Sequence, residues 1–243
     1  MSDHERPTPP TPPTTNPADA EPVAPLPPDT GLAGLADALL KRPRGLIERF
    51  DRGDVSAIEW RLLGIALFGY VGYGVLVGSF SGGSQWWAGP LKVVAVGVGA
   101  SAICLPSLYV FSALGMARVR LRHVVDLLLA QLALSSILLL GFLPVGWVFS
   151  QSTQSAAFMG MIHLGLGVTA ISFGLRLLFA GFQLFEMQRG GYVRLWVMIF
   201  LITSLQLTTA LRPILGEAET ILPQEKKFFL MHWGESFARD IDG

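Results

Sequence analysis

Three ionisable side chains interrupt long apolar stretches of this sequence: Asp126, His163 and Arg176. Placing a charged side chain at the centre of a bilayer costs at least about 2.5 kcal/mol, so these residues are the first candidates for function in an apolar chain. A carboxylate in such a position could relay protons, and an imidazole could bind a metal ion. Each residue also has a structural explanation.

Asp126 and Arg176 lie near the predicted cytoplasmic ends of their stretches. Three arginines come shortly before Asp126: Arg118, Arg120 and Arg122. An interfacial ion pair is therefore favoured over a proton relay. Arg176 can extend its long side chain to the cytoplasmic interface, and it could equally pair with Asp126 or Glu186.

His163 is the only histidine inside an apolar stretch. One histidine cannot form a metal site alone, and the sequence has neither an HExxH motif nor a serine motif with a plausible base. We therefore expect a packed, hydrogen-bonded histidine. No catalytic residue, metal ligand or cofactor is predicted.

Uncharged polar residues are concentrated in two of the apolar stretches. They are Gln131, Ser135, Ser136, Thr203, Ser204, Gln206, Thr208 and Thr209. Such side chains either hydrogen-bond between helices or line a pore. Hydrogen bonding is favoured because no matching set of charges accompanies them.

The last apolar stretch ends with Arg212 and Pro213. Proline has a fixed φ angle and no N–H group, so it suits the end of a helix and redirects the chain. Arg212 is then interpreted as an anchor at the outer interface. Because an outer arginine runs against the usual charge distribution, a partner for it is the alternative: Glu217, Glu219, or an anionic lipid or ligand.

The composition is that of a membrane protein. Of the 243 residues, 51% are hydrophobic and 15% are charged, whereas soluble proteins have about 25% charged residues. The formal net charge is zero, so nothing indicates a nucleic-acid partner. Cys104 is the only cysteine, which excludes an intrachain disulfide.

Five apolar stretches reach the roughly 20 residues needed to cross the hydrocarbon core. They lie near residues 62–80, 91–115, 124–149, 157–182 and 193–211. The connections between them are short, which favours antiparallel neighbours. The sequence therefore predicts an all-α protein, with a bundle of five transmembrane helices at residues 61–215.

Basic residues predict the orientation of the bundle. Arginine and lysine are frequent before the first span and in the second and fourth connections, and scarce in the first and third. Positive residues mark the cytoplasmic side, so the N-terminus is expected inside and the C-terminus outside. Residues 216–243 then form an amphipathic tail on the outer side. An aromatic belt is predicted from Trp60 and Trp196 at the inner interface and Trp86, Trp87 and Trp147 at the outer one.

Two segments precede the first span. Residues 1–30 contain ten of the sixteen prolines and are predicted to be a disordered tail, either a solvated spacer or a PxxP ligand. Residues 31–60 place leucines and arginines at helical spacing, and Pro43 should divide them into two short helices. This basic amphipathic segment is expected to lie on the cytoplasmic surface of the membrane, with packing on the cytoplasmic loops as the alternative.

Small residues predict close packing of the first two spans. Gly74 and Gly78 form a GxxxG motif. The second span offers two further pairs, Ala95 with Gly99 and Gly97 with Ser101. Helices in lipid associate through such residues because the hydrophobic effect does not drive their association.

Two prolines lie inside predicted spans, Pro106 in the second and Pro144 in the third. Each should kink its helix, because proline frees a backbone carbonyl group. A structural kink is favoured over a broken helix that lines a transport site.

Two stretches resemble a family of bacterial polytopic membrane proteins: ICLPSLYVFSALG in the second span and LWVMIFLITSLQLTTALRPILG through the fifth. They match a CLPxLYxF-type and a QLxWxLRPFxG-type motif, with Thr209 in place of the tryptophan. The resemblance covers roughly residues 60–240 and implies a multi-pass protein of the bacterial inner membrane. It also adds weight to Gln206 and Arg212 as functional residues. Some members are labelled actin-binding WH2 proteins, but LLKRPR is a poor WH2 core that proline interrupts, and that function is not carried over.

The favoured function is that of a non-enzymatic protein of the lipid bilayer that assembles with itself or with a larger membrane complex. The alternative is a small-solute or ion transporter or channel that uses the second and third spans with Gln206 and Arg212. An intramembrane enzyme is the least favoured class, because the sequence offers no catalytic constellation.

Overall fold

The computed structural model describes residues 30–52, 56–81, 85–153 and 155–211, which form helices joined by short connections. The α-helices are α1 (Leu32–Lys41), α2 (Pro43–Arg52), α3 (Ser56–Ser81), α4 (Gln85–Val94), α5 (Ala100–Leu114), α6 (Leu121–Gly141), α7 (Leu143–Ser152), α8 (Ala156–Leu184) and α9 (Gly191–Ala210). A π-helical turn, Ala95–Gly99, joins α4 to α5. The predicted all-α fold is confirmed. The proline-rich tail and the outer tail predicted at the two ends lie outside the described residues.

Five helical segments are long and apolar enough to cross a membrane, as expected of a multi-pass membrane protein: Ala57–Phe80, Trp86–Leu114, Leu121–Gly141, Phe158–Leu184 and Gly191–Thr208. Four of them match the predicted spans, with ends that differ by up to five residues. The third is shorter than predicted.

The third span ends at Gly141 rather than near residue 149, because the chain turns at Phe142 and α7 follows. Pro144 lies in the first turn of α7, where its missing N–H leaves no helical hydrogen bond unmade. The kink predicted at Pro144 is therefore a break between two helices. Pro106 does lie inside a helix, α5.

α6 is the central helix of the bundle. It packs against α3 on one side and α8 on the other, while α4 packs on α3 and α9 packs on α5. In the apolar part of α6, 67% of the residues are buried, compared with 22% in the corresponding parts of α8 and α9. The outward faces of α8 and α9 are therefore left for lipid or for other proteins.

Glycines of α3 and α8 bring these two helices close to α6. A methyl group added at Gly69 would lie 2.6 Å from Cβ and Oγ of Ser136. On the other side, a methyl group at Gly174 would collide with Ser135 Oγ and lie 2.9 Å from the carbonyl oxygen of Gln131. At both crossings the backbone at a glycine lies directly against α6. Small residues make such a close approach of two helices possible in lipid.

The first two spans approach each other at Gly74 and Gly78. A methyl group at Gly74 would collide with the backbone of Pro90, and one at Gly89 would lie 2.7 Å from the Gly74 carbonyl oxygen and 2.9 Å from the Gly78 Cα. The predicted GxxxG motif is thus in contact with the second span. The contact is made by Gly89 and Pro90, which precede the small pairs predicted for this role.

The π-helical turn contains three of the predicted small residues: Ala95, Gly97 and Gly99. A methyl group at Gly97 would lie 2.8 Å from the ring of Tyr70 in α3, and one at Gly99 would lie 3.4 Å from Leu207 in α9. Ser101 is buried and donates to the Gly97 carbonyl at 2.9 Å. The second span therefore contacts two helices through its small residues.

The basic segment forms α1 and α2, which Pro43 separates as predicted. Both helices pack against α6, and α2 also packs against α8. Leu39 and Phe50 are buried in the same apolar core as Val124 and Phe182. Protein therefore covers most of the apolar face of this segment, and the covering residues belong to helices α6 and α8, not to the cytoplasmic loops. Its position at the membrane surface stays a prediction.

Gly174→Ala is expected to lower the free energy of unfolding by about 1–3 kcal/mol, because the added methyl group would overlap α6. The matched control is Gly167→Ala on the same helix, where a methyl group would meet no atom within 4 Å. That control should be neutral or stabilising by up to about 1 kcal/mol, since alanine is the better helix former. Titration with sodium dodecyl sulfate measures both variants, and equal effects would contradict the crossing.

Candidate functional site

Asp126, Arg122 and Glu59 link α6 to α3 at the end of the bundle where α6 begins. Asp126 Oδ2 lies 4.0 Å from Arg122 Nε, and the same nitrogen lies 3.5 Å from Glu59 Oε1. The Asp126 side chain is fully buried, whereas those of Arg122 and Glu59 are partly exposed. The ion pair predicted between Asp126 and a neighbouring arginine is therefore formed with Arg122. Sequence analysis misses Glu59 because it precedes the apolar stretch taken as the first span.

Several buried oxygens in the bundle accept no hydrogen bond from the described residues. They are both carboxylate oxygens of Asp126, Oε1 of Gln131 and Oγ of Ser135. Gln131 and Ser135 are one turn apart on α6, and both lie against Gly174 of α8. Polar groups in such positions could hold water, and a carboxylate among them could take up a proton. These groups are the feature of the described bundle that suits a transport path.

His163 is held by Tyr73 at the meeting point of α3, α7 and α8. The Tyr73 hydroxyl and His163 Nδ1 are hydrogen-bonded at 2.8 Å, and the two rings meet edge to face with centroids 5.5 Å apart. His163 Nε2 is buried and has no hydrogen-bond partner among the described residues. The predicted packed, hydrogen-bonded histidine is present, but the sequence did not identify Tyr73 as its partner. Within the described ranges, no three His, Cys, Asp or Glu side chains are grouped as a metal site requires.

The hydroxyl groups of Ser136, Ser204 and Thr208 bond mainly within their own helices. Ser204 and Thr208 each donate to the carbonyl oxygen four residues earlier in α9, at 2.8 Å. Ser136 of α6 donates to the Ala133 carbonyl oxygen of its own helix at 2.9 Å, and the Ile65 carbonyl oxygen of α3 is a second, longer contact at 3.3 Å. Of these three residues expected to bond between helices, only Ser136 reaches a neighbouring helix, through that longer contact.

Trp196 joins α9 to α5. Its Nε1 donates to the Cys104 carbonyl oxygen at 3.0 Å and to Ser107 Oγ at 3.2 Å. The Trp196 side chain is fully buried, whereas the other four tryptophans assigned to the aromatic belt are exposed. Its assignment to the inner belt was therefore wrong. Sequence cannot distinguish an indole N–H at an interface from one bonded to a neighbouring helix, since both suit tryptophan.

The family resemblance singles out two residues, Gln206 and Arg212. Gln206 is half-buried in α9. Arg212 lies outside the described residues, so its role as an anchor or a binding residue stays a prediction.

Arg176 lies on the exposed face of α8, away from α6. Its Cζ atom is 5.7 Å from the ring centroid of Phe173, one turn closer to the N-terminus of the helix. Glu186 and Asp126 are both paired with other arginines, so neither ion pair suggested for Arg176 forms among the described residues. The extension of Arg176 to the cytoplasmic interface stays a prediction.

Tyr73→Phe is expected to lower the free energy of unfolding by about 0.5–1.5 kcal/mol, because it removes the hydroxyl bonded to His163 and leaves a buried nitrogen without a partner. Tyr109→Phe is the control, since Tyr109 is 39% exposed. Detergent unfolding of both variants measures the difference. No loss of stability for Tyr73→Phe would show that this hydrogen bond is not maintained in the membrane.

No protein-family model, curated protein or solved structure matches the chain. The family suggested by the two sequence motifs therefore stays a prediction. Function has to be argued from the polar groups of the bundle and from the faces that its helices leave open.

Proposed function

We propose that this protein is a non-enzymatic component of a membrane-protein assembly, and that α8 carries its docking face. The observation behind the proposal is a row of small and polar residues, the α8 stripe: Gly165, Thr169, Ser172 and Arg176. They follow at intervals of four, three and four residues, so they share one face of the helix. All four are exposed.

The α8 stripe suits contact with another helix. Its small residues allow a second backbone to come close, which is the common feature of helix interfaces in membranes. Thr169 and Ser172 donate to carbonyl oxygens four residues earlier, at 2.8 and 2.7 Å, so their hydroxyls need no partner of their own. Gly165 supports the same interpretation because a methyl group there would meet open space, whereas α6 fills the space beside Gly174 and Gly181.

The proposed location is the bacterial inner membrane, with the N-terminus cytoplasmic and the C-terminus outside. The connection after α5 is bonded to the connection after α8, since the Arg118 N–H donates to the Phe185 carbonyl at 2.9 Å and the Arg189 N–H to the Gly115 carbonyl at 3.0 Å. Basic residues of these two connections are thus gathered at one end of the bundle. The positive-inside tendency supports that end as the cytoplasmic one. The resemblance of the two motifs is the support for a bacterial origin.

Ser172→Leu is expected to weaken the assembly about tenfold, equivalent to about 1.4 kcal/mol, because leucine would hold the two backbones apart. Native mass spectrometry of the protein extracted in mild detergent from its own membranes measures the bound fraction. Ala102→Leu is the control, since it places leucine on the exposed face of α5. Wild-type protein with the mass of a single chain and nothing bound would contradict the proposal.

A small-ion transporter is the second candidate, and the buried oxygens of Asp126, Gln131 and Ser135 favour it. If the protein is an assembly component, liposomes that contain it should pass protons and Na⁺ no faster than empty liposomes. A pH-sensitive dye inside the liposomes measures proton entry. Proton flux that Asp126→Asn abolishes and Tyr109→Phe leaves intact would replace the assembly proposal with transport.

A further inference from the structure

Arg176 lies within the hydrocarbon core by its position along α8. It precedes Leu184, the last residue of its span, by eight residues, a rise of about 12 Å. The span has 27 residues, about 40 Å of helix, against a hydrocarbon core of about 30 Å. With the span centred, the Arg176 backbone lies about 7 Å inside the core.

The Arg176 side chain lies deeper still. Side chains of an α-helix lean towards its N-terminus, and the guanidinium accordingly lies over the ring of Phe173, one turn further from Leu184. This direction is opposite to the one that would bring the charge to the nearer layer of lipid phosphates. The ring face offers the cation a partial partner but no opposite charge.

No carboxylate of the described spans is free to meet Arg176. The acids within these spans are Glu59 and Asp126, and both face Arg122 inside the bundle. Glu186, just after α8, pairs with Arg118 at 3.1 Å. A second copy of the described region would therefore bring no exposed carboxylate at the required depth.

We propose that Arg176 and the rest of the α8 stripe dock a transmembrane helix of another protein that carries an aspartate or glutamate at this depth. The inference rests on the proposed function and adds the chemistry of the partner. Small residues at Gly165 and Ser172 let the two backbones approach, and the guanidinium then pairs with the incoming carboxylate away from water. The attraction between the guanidinium and the carboxylate is strong in the core, because its low dielectric screens charges little.

The test uses the full-length protein in liposomes with a synthetic transmembrane peptide of leucine and alanine. One form of the peptide carries a single glutamate placed at the depth of Phe173, and the other carries glutamine there. Energy transfer between labelled peptide and labelled protein gives the two dissociation constants. Wild-type protein should bind the glutamate peptide at least tenfold more tightly than the glutamine peptide. In Arg176→Gln this ratio should fall to about one.

Arg194→Gln is the matched control. Arg194 is also exposed and also lies 5.7 Å from a ring centroid, that of Phe179. It is three residues from the N-terminal end of its span, so the lean of its side chain towards that end carries the charge to the nearer interface instead of into the core. The glutamate preference should survive this substitution. As a further check, Arg176→Glu should bind a peptide with lysine at this position more tightly than the glutamate peptide. A misfolded variant could not produce this reversal.

Equal binding of the glutamate and glutamine peptides to the wild-type protein would overturn the inference and assign Arg176 to lipid phosphate or to carboxylates of the chain's own C-terminal residues. A preference that persists in Arg176→Gln would also overturn it. The proposed function is tested separately, by native mass spectrometry. A bound complex in that experiment, together with equal binding of the two peptides, would support the assembly and reject only the acidic partner.

Discussion

The close approach of α3 and α8 to opposite faces of α6 is the contact on which the rest of the bundle depends. In a bilayer the hydrophobic effect does not draw helices together, so packing and hydrogen bonds must do so. Gly69 on one side and Gly174 on the other leave no space for a side chain, and α6 therefore sits between two backbones. Larger side chains at either position would separate the helices and expose the polar residues of α6 to lipid.

Burial of α6 decides what its polar residues can do. Asp126, Gln131, Ser135 and Ser136 are enclosed by protein. Arg122 pairs with the carboxylate and the Ala133 carbonyl accepts from Ser136, whereas Gln131 Oε1 and Ser135 Oγ have no hydrogen-bond partner among the described residues. With these groups inside, the polar residues left facing outward within the bilayer include those of α8. The glycine crossings that cover Gln131, Ser135 and Ser136 therefore turn the other face of α8, with Arg176, outward. One packing arrangement explains both these buried polar residues and the docking face.

The length and hydropathy of each stretch are enough to predict the five spans, because crossing lipid constrains both. Local chemistry also predicts the division at Pro43 and the pairing of Asp126 with a nearby arginine. What fails depends on distant contacts. Trp196 is buried because Cys104, 92 residues earlier, presents its carbonyl oxygen. The sequence around Arg176 does not show which way that residue faces, because packing against α6 decides which face of α8 is covered. Pro144 starts a new helix after the turn at Phe142 instead of kinking the third span.

The outward position of the α8 stripe is the central claim, and spin-label accessibility along α8 tests it most directly. Single cysteines would be placed from residue 165 to residue 178 in a chain carrying Cys104→Ser, labelled, and reconstituted alone in liposomes, where oxygen reports exposure to lipid. The account predicts maxima of oxygen accessibility at positions 169, 172 and 176 and minima at 170 and 177, with the period of an α-helix. The opposite phase would place the polar face inside the bundle and contradict the account.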